Sequence, residues 1–182
     1  MPNWCMNKIK ASGRDSRIQE FFDFVNEEID ETENCKFSFN KIIPMPKELL
    51  ENPYPSDQEK KDNFEKFGFE SWYEWSCANW GTKWNASEIV INNEPDIKNY
   101  EIIFNSAWSP PIPIFQRIME LYPELTFDIH YCEIGESFAG HVYLEDGIVI
   151  NNWMEDDRCV NQIAYDEFGM SPSEFEEDEL ER

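Results

Sequence analysis

Positive charge is scarce in this sequence relative to its opposite: 15 Lys and Arg face 38 Asp and Glu across 182 residues, a net charge of −23 at pH 7. Proteins that grip a phosphate backbone draw their affinity from cations that release its counterions. Free nucleic acid is therefore excluded as an expected ligand. Long apolar runs are missing too. Nothing approaches the roughly 20 residues of a membrane span, and Met1–Lys8 has no apolar stretch behind a basic start, so the chain reads as soluble and cytoplasmic with no membrane partner. Cys5, Cys35, Cys77, Cys132 and Cys159 are odd in number, far apart and never C-x-x-C. That excludes a disulfide framework and a zinc ribbon and leaves reduced, mostly buried thiols. No Walker loop, G-x-G-x-x-G, H-E-x-x-H or G-x-S-x-G occurs, so no cofactor and no enzymatic activity are expected.

Aromatic bulk is plentiful. Apolar residues make up 41% of the chain and aromatics 15%, with 14 Phe, 7 Trp and 7 Tyr. That supply supports one packed core in a domain of ordinary size and excludes a wholly disordered chain despite the charge.

Residues 3–11 alternate as a first strand, with Trp4, Met6 and Ile9 as its inward candidates, before a turn at Gly13. Ile18, Phe21, Phe22, Val25 and Ile29 recur every three or four residues and predict a helix over about 15–30. Lys36–Ile43 alternates at period two and predicts a strand ending at Pro44-Met45-Pro46. An insertion over about 44–80 follows, polar at first and then aromatic, with short helical pieces at the surface and a helix through Trp72 and Trp75 that ends near Gly81. Residues 86–92 and 100–107 predict an antiparallel pair, and Ile114, Phe115, Ile118, Met119 and Tyr122 a second amphipathic helix with Pro113 in its first turn. Residues 125–133 and 137–146 predict a hairpin, with a further strand over 147–153. The expected fold is α+β: a ferredoxin-like sandwich, mostly antiparallel, covered by two amphipathic helices, with extra strands and an aromatic-rich helical insertion. One domain is expected over residues 1–165, with an acidic tail over 166–182.

Particular strings carry a family resemblance. Asn3-Trp4-Cys5-Met6-Asn7, Phe39–Pro46, Asn79-Trp80-Gly81-Thr82-Lys83-Trp84-Asn85-Ala86, Ala107-Trp108-Ser109-Pro110-Pro111 and Phe138-Ala139-Gly140 resemble the YubB-like proteins of phages and conjugative plasmids, from the start of the chain to about residue 150. The resemblance implies a ferredoxin-like domain in the second half, carriage on a mobile element and residence in the bacterial host's cytoplasm. It brings no activity and no site residues with it.

Three sets of residues are candidate sites. Trp80, Thr82, Lys83, Trp84 and Asn85 combine an aromatic platform with a polar hook and suit a small planar ligand or nucleotide. The same string also reads as a packing knot, because tryptophans bury large areas, although such a knot has little use for Lys83. In the hairpin, a turn over Glu133–Glu136 pairs Asp128 with His141, His130 with Ala139 and Cys132 with Ser137, so Asp128, His130, Cys132, Ser137 and His141 share one face. Alternation alone places polar residues outward and no short-spaced ligand motif accompanies them, so this face reads as solvated and holds no metal.

Carboxylates form the third set. Glu27, Glu28, Asp30, Glu31 and Glu33 crowd the carboxyl end of the first helix, where the macrodipole disfavours anions by roughly 0.3–1 kcal/mol each. Glu155, Asp156 and Asp157 form a second group, and Glu174, Glu176, Glu177 and Asp178 a third in the tail. Such a surface keeps a protein soluble, and it also suits carboxylates that stand in for phosphates. The expected function is that of an acidic accessory protein of a phage or mobile element that inhibits a host nucleic-acid-handling defence factor, a CRISPR effector or other nuclease, by nucleic-acid mimicry. The alternative is a small-ligand or nucleotide-binding domain, with enzymatic activity among its options, that uses Trp80–Trp84.

Overall fold

The computed structural model describes residues 3–27, 36–92, 100–145 and 148–170. Strand β1 (Trp4–Ser12) lies at the middle of a six-stranded sheet and leads into α1 (Asp15–Val25), whose buried stripe is Ile18, Phe21, Phe22 and Val25. Strands β2 (Asn26–Glu27) and β3 (Lys36–Phe37) form a small separate pair. Then come the short α2 (Phe39–Ile42) and α3 (Lys47–Glu51), α4 (Asp57–Phe67) and the aromatic α5 (Trp72–Asn79). The chain returns to the sheet through β4 (Ser87–Asn92) and β5 (Tyr100–Ala107), crosses in α6 (Ile112–Leu121), and continues through β6 (Thr126–Glu133), β7 (Phe138–Glu145) and β8 (Ile148–Met154) to α7 (Asp157–Phe168).

The strand order is β4-β5-β1-β6-β7-β8, and every neighbouring pair is antiparallel. Taken as β1-α1-β4-β5-α6-β6, this is the split β-α-β-β-α-β arrangement of ferredoxin-like folds, lengthened by β7 and β8. Helices α1 and α6 bury Phe21, Phe22, Phe115 and Ile118 with Ile9, Ile102, Phe104, Ile129 and Tyr131 from the sheet in the main core.

Several expectations are corrected. In β1 the core residues are Cys5, Ile9 and Ala11, while Met6 packs on the opposite face and Trp4 is exposed. Helix α1 stops at Val25, where the chain passes into β2, and a longer helix would set Glu27 and the acids behind it against the negative end of its dipole. Lys36–Ile43 is not one strand. After Phe37 the chain bends at Ser38 into a helical turn that buries both Phe39 and Ile42, a spacing that a strand would send to opposite faces. The insertion also reaches the core: Leu49 is fully buried, although α4 buries no residue.

The boundary expected at residue 165 falls inside α7, which Gly169 closes at a φ of +70°. This helix packs on β6, β7 and β1 from the face opposite α1 and α6, where Val160 and Ala164 meet Cys132 and Ala139 in a second small core. The sheet is therefore covered by a third helix on the side expected to meet solvent.

Candidate functional site

The Trp80–Asn85 string divides into inward and outward halves. Trp80 is buried against Trp75 and Phe39, and its Nε1 donates to the Ile43 carbonyl at 2.9 Å. Gly81 adopts a φ of +78°, and an added Cβ would lie 2.8 Å from Pro113 Cδ. Thr82, also buried, donates to the Ala107 carbonyl at 2.7 Å. Asn85 Oδ1 accepts from the Phe39 amide at 2.7 Å and its Nδ2 donates to Ser38 Oγ, so this side chain serves the start of α2. Trp80, Thr82 and Asn85 thus form the packing knot.

Lys83 and Trp84 turn outward. Trp84 is exposed and lies 6.1 Å from Trp4 and 6.5 Å from Trp108 between ring centroids. The Lys83 ammonium lies 4.4 Å from the Trp84 ring, 5.2 Å from Trp108 and 5.8 Å from Tyr73, held by cation–π attraction to three faces. Trp108 holds a φ of +68°, a left-handed conformation that is an outlier for so bulky a residue, and its amide donates to the Asn3 carbonyl at 2.9 Å. Lys83 and Trp84, with Trp80 and Asn85 of the knot beside them, edge a cleft of about 370 Å³ whose other walls include Met45, Leu50, Pro53 and Trp72. Sequence spacing joins only Lys83 and Trp84. Trp4, Tyr73 and Trp108 arrive from the ends of β1 and β5 and from α5, a convergence no local pattern announces.

The hairpin register is shifted by two residues from the expected one, because the turn occupies 134–137. His130 pairs with His141, Cys132 with Ala139, and Ser137 leaves the strand for the turn, where its hydroxyl bonds to the Asp157 carboxylate. A two-residue shift keeps every strand side chain on its face, so Asp128, His130, Cys132 and His141 still lie together. The two imidazoles stack with centroids 4.4 Å apart and planes 7° from parallel. Asp128 Oδ1 is 2.6 Å from His141 Nε2 and 3.7 Å from His130 Nδ1. Burial lowers the His130 pKa, against the pull of Asp128 and Glu167. Burial also pushes the Cys132 thiol up to about 12, away from the thiolate form that a nucleophile needs. Cys5 is likewise buried, whereas Cys77 and Cys159 are exposed, which corrects the expectation of mostly buried thiols for the described cysteines.

Sequence reasoning missed Glu167, which it assigned to the tail. Its carboxylate sits 2.7 Å from Lys10 Nζ and 3.6 Å from Lys8 Nζ, and its carbonyl accepts from Lys8. The signal was available: Val160, Ile163, Ala164 and Phe168 lie at helical spacing between Asp156 and Gly169.

Among the expected acidic sites, Glu28, Asp30, Glu31, Glu33, Glu174, Glu176, Glu177 and Asp178 lie outside the described residues. Glu27 stands in β2 rather than at a helix end. The middle group has local roles. Glu155 accepts from Trp153 Nε1, Asp156 caps α7 by accepting from the Arg158 and Cys159 amides, and Asp157 holds Ser137.

Residues 79–177 match the family described as the ferredoxin-like domain in Api92-like protein. The fold is similar to the crystal structure of protein Api92 from Yersinia pseudotuberculosis, with a TM-score of 0.53 and 10% identity over 86% of this chain and 98% of that one. At that identity the likeness is one of fold. No curated protein matches the chain.

Proposed function

The chain belongs to the family of Api92-like proteins defined by this ferredoxin-like domain, and on that premise we propose that it is a non-catalytic accessory protein of a phage or plasmid, acting in the bacterial cytoplasm. It binds a basic, nucleic-acid-handling host protein, a CRISPR effector or another nuclease, by offering carboxylates where that partner receives phosphates. The observation that carries this reading is the charge of −23 together with the way the few cations are used. Lys8 and Lys10 are taken up by Glu101 and Glu167, Arg17 by Glu20 and Glu124, Lys66 by Glu48 and Arg117 by Glu120. Carboxylates outnumber cations by 23 in the sequence, and these described cations are already paired with carboxylates, which favours a basic partner whose approach slows as salt rises.

Because Glu155 accepts from Trp153, Asp156 caps α7 and Asp157 holds Ser137, the groups proposed for the partner are Glu27, Glu28, Asp30, Glu31 and Glu33, and Glu174, Glu176, Glu177 and Asp178. Surface-immobilised chain should bind such an effector with an on-rate that falls steeply with sodium chloride, and should not shift duplex or single-stranded DNA in a gel. Charge reversal at Glu27, Glu28, Asp30 and Glu31, or at Glu174, Glu176, Glu177 and Asp178, should weaken binding. Unchanged affinity and salt dependence after both reversals would remove the reading.

The cleft beside Lys83 and Trp84 favours a second reading, a small planar ligand such as a nucleotide, stacked on an aromatic wall with its charge near the ammonium. A thermal-shift screen with nucleotides tests it. Stabilisation that Lys83→Ala or Trp84→Ala abolishes would favour this reading over the first.

A further inference from the structure

The register of β6 and β7 does more than place polar groups outward. It sets His130 directly across from His141, with Asp128 two residues earlier on the same face. We propose that Asp128, His130 and His141 bind a single divalent transition-metal ion of the zinc class. One ligand atom from each residue lies within 4.8 Å of the other two. A tetrahedral zinc ion with bonds of about 2.0–2.1 Å asks for ligand atoms roughly 3.3 Å apart. The observed separations of 2.6 Å and 3.7 Å from Asp128 Oδ1 straddle that value, so modest side-chain rotations close the site. Two imidazoles and one carboxylate are a borderline donor set that suits zinc better than magnesium or calcium, which favour oxygen alone.

A second observation points the same way. His130 Nδ1 is buried and has no hydrogen-bond partner, and a native fold seldom leaves such an atom without a use. The Asp128–His141 hydrogen bond accounts for two members of the cluster, whereas this nitrogen stands 3.7 Å from Asp128 Oδ1 and 3.8 Å from Glu167 Oε2, near two carboxylates but hydrogen-bonded to neither. Lys8 and Lys10 do not occupy the site either, since their ammonium groups are tied to Glu167 and, for Lys8, Glu101. Access exists as well. His130 and His141 open on a cleft of about 510 Å³ bordered by Met154, Arg158 and Gln162, which leaves room for water as a fourth ligand. The proposal is independent of the acidic-surface reading.

The test uses the full chain, stripped with chelator and titrated with zinc against a chromophoric competitor, with excess magnesium present to saturate surface carboxylates. A single equivalent should bind. Asp128→Asn, His130→Ala and His141→Ala should each weaken it by at least about tenfold, since even outer-shell changes cost ~10–100-fold. A Cys77→Ser/Cys159→Ser variant should bind as the parent does. Cobaltous ion in place of zinc should give four-coordinate visible bands without a thiolate charge-transfer band. Because these are the chain's only 2 histidines, nitrogen NMR of the unmodified protein reads both rings even if a variant fails to fold. Absence of saturable binding, imidazole resonances that stay put at excess zinc, or a thiolate–cobalt band would overturn the assignment.

Discussion

At the scale of single residues, the string Phe138-Ala139-Gly140 has a steric cause. Gly140 pairs with Tyr131 across the β6–β7 ladder, and a Cβ there would stand 2.2 Å from the Tyr131 ring and hydroxyl. The ring cannot retreat easily, since it is buried and its hydroxyl donates to Asn151 Oδ1 at 2.7 Å. Burial holds the Tyr131 phenol up at about 12, against the lowering effect of that hydrogen bond. Gly140→Ala should therefore cost about 1–3 kcal/mol of stability, the usual penalty of overpacking, read from the midpoint of urea unfolding. An unchanged midpoint would mean that the ladder opens there at little cost. Asp156 shows the opposite relation between residue type and role. Read as one charge in a patch, it is in fact the N-cap of α7, a use that depends on its oxygen rather than on its charge.

At the scale of elements, α7 turns an exposed sheet face into a second interior. Without it, Cys132, Ala139 and Lys8 would meet water. Its last turn carries the longest-range ties, Glu167 to Lys8 and Lys10, while Phe168 and Met170 pack against the small core. A chain ending at residue 165 should thus be less stable than one ending at residue 170. The expected loss is roughly 2 kcal/mol or more, because two large apolar side chains and a partly buried ion-pair network go together. Denaturant midpoints of the two lengths measure it, and equal midpoints would show that α7 docks through Val160 and Ala164 alone. The insertion has a different character. Helix α4 is a solvated helix set by its capping box at Ser56 and Glu59, whereas Leu49, Trp75 and Trp80 anchor its flanks in the core.

At the scale of the whole molecule, net charge opposes folding. With −23 spread over a small domain, self-repulsion weakens as salt shortens the screening length, which falls from about 30 Å at 0.01 M to about 8 Å at 0.15 M. The same salt weakens the ion pairs, but those at the surface, such as Lys47–Glu51 and Lys60–Asp57, each contribute little. Repulsion should therefore dominate. The melting temperature should rise as sodium chloride goes from low to physiological concentration, and a flat or falling Tm would show that the acids are already neutralised locally.

The sequence alone determined what periodicity and composition can express. The stripe of α1, the apolar face of α6 after Pro113, the β4–β5 pair and the β6–β7 hairpin were legible because each side chain's face follows from its spacing along one element. Net charge was legible too, being a sum over residues. Tertiary structure decided the rest. Lys36–Ile43 alternates like a strand, yet Phe39 packs against Trp80 and Phe104 and Ile42 joins the same core, and that burial outweighs local preference. The hairpin's exact register depended on where its turn closed, which a shift of two residues hides from any facing argument. Both candidate sites arise from this level. The Lys83 cluster draws Trp4, Tyr73 and Trp108 from distant parts of the chain, while for Asp128, His130 and His141 alternation already gave the shared face and only the actual β6–β7 pairing sets His130 across from His141.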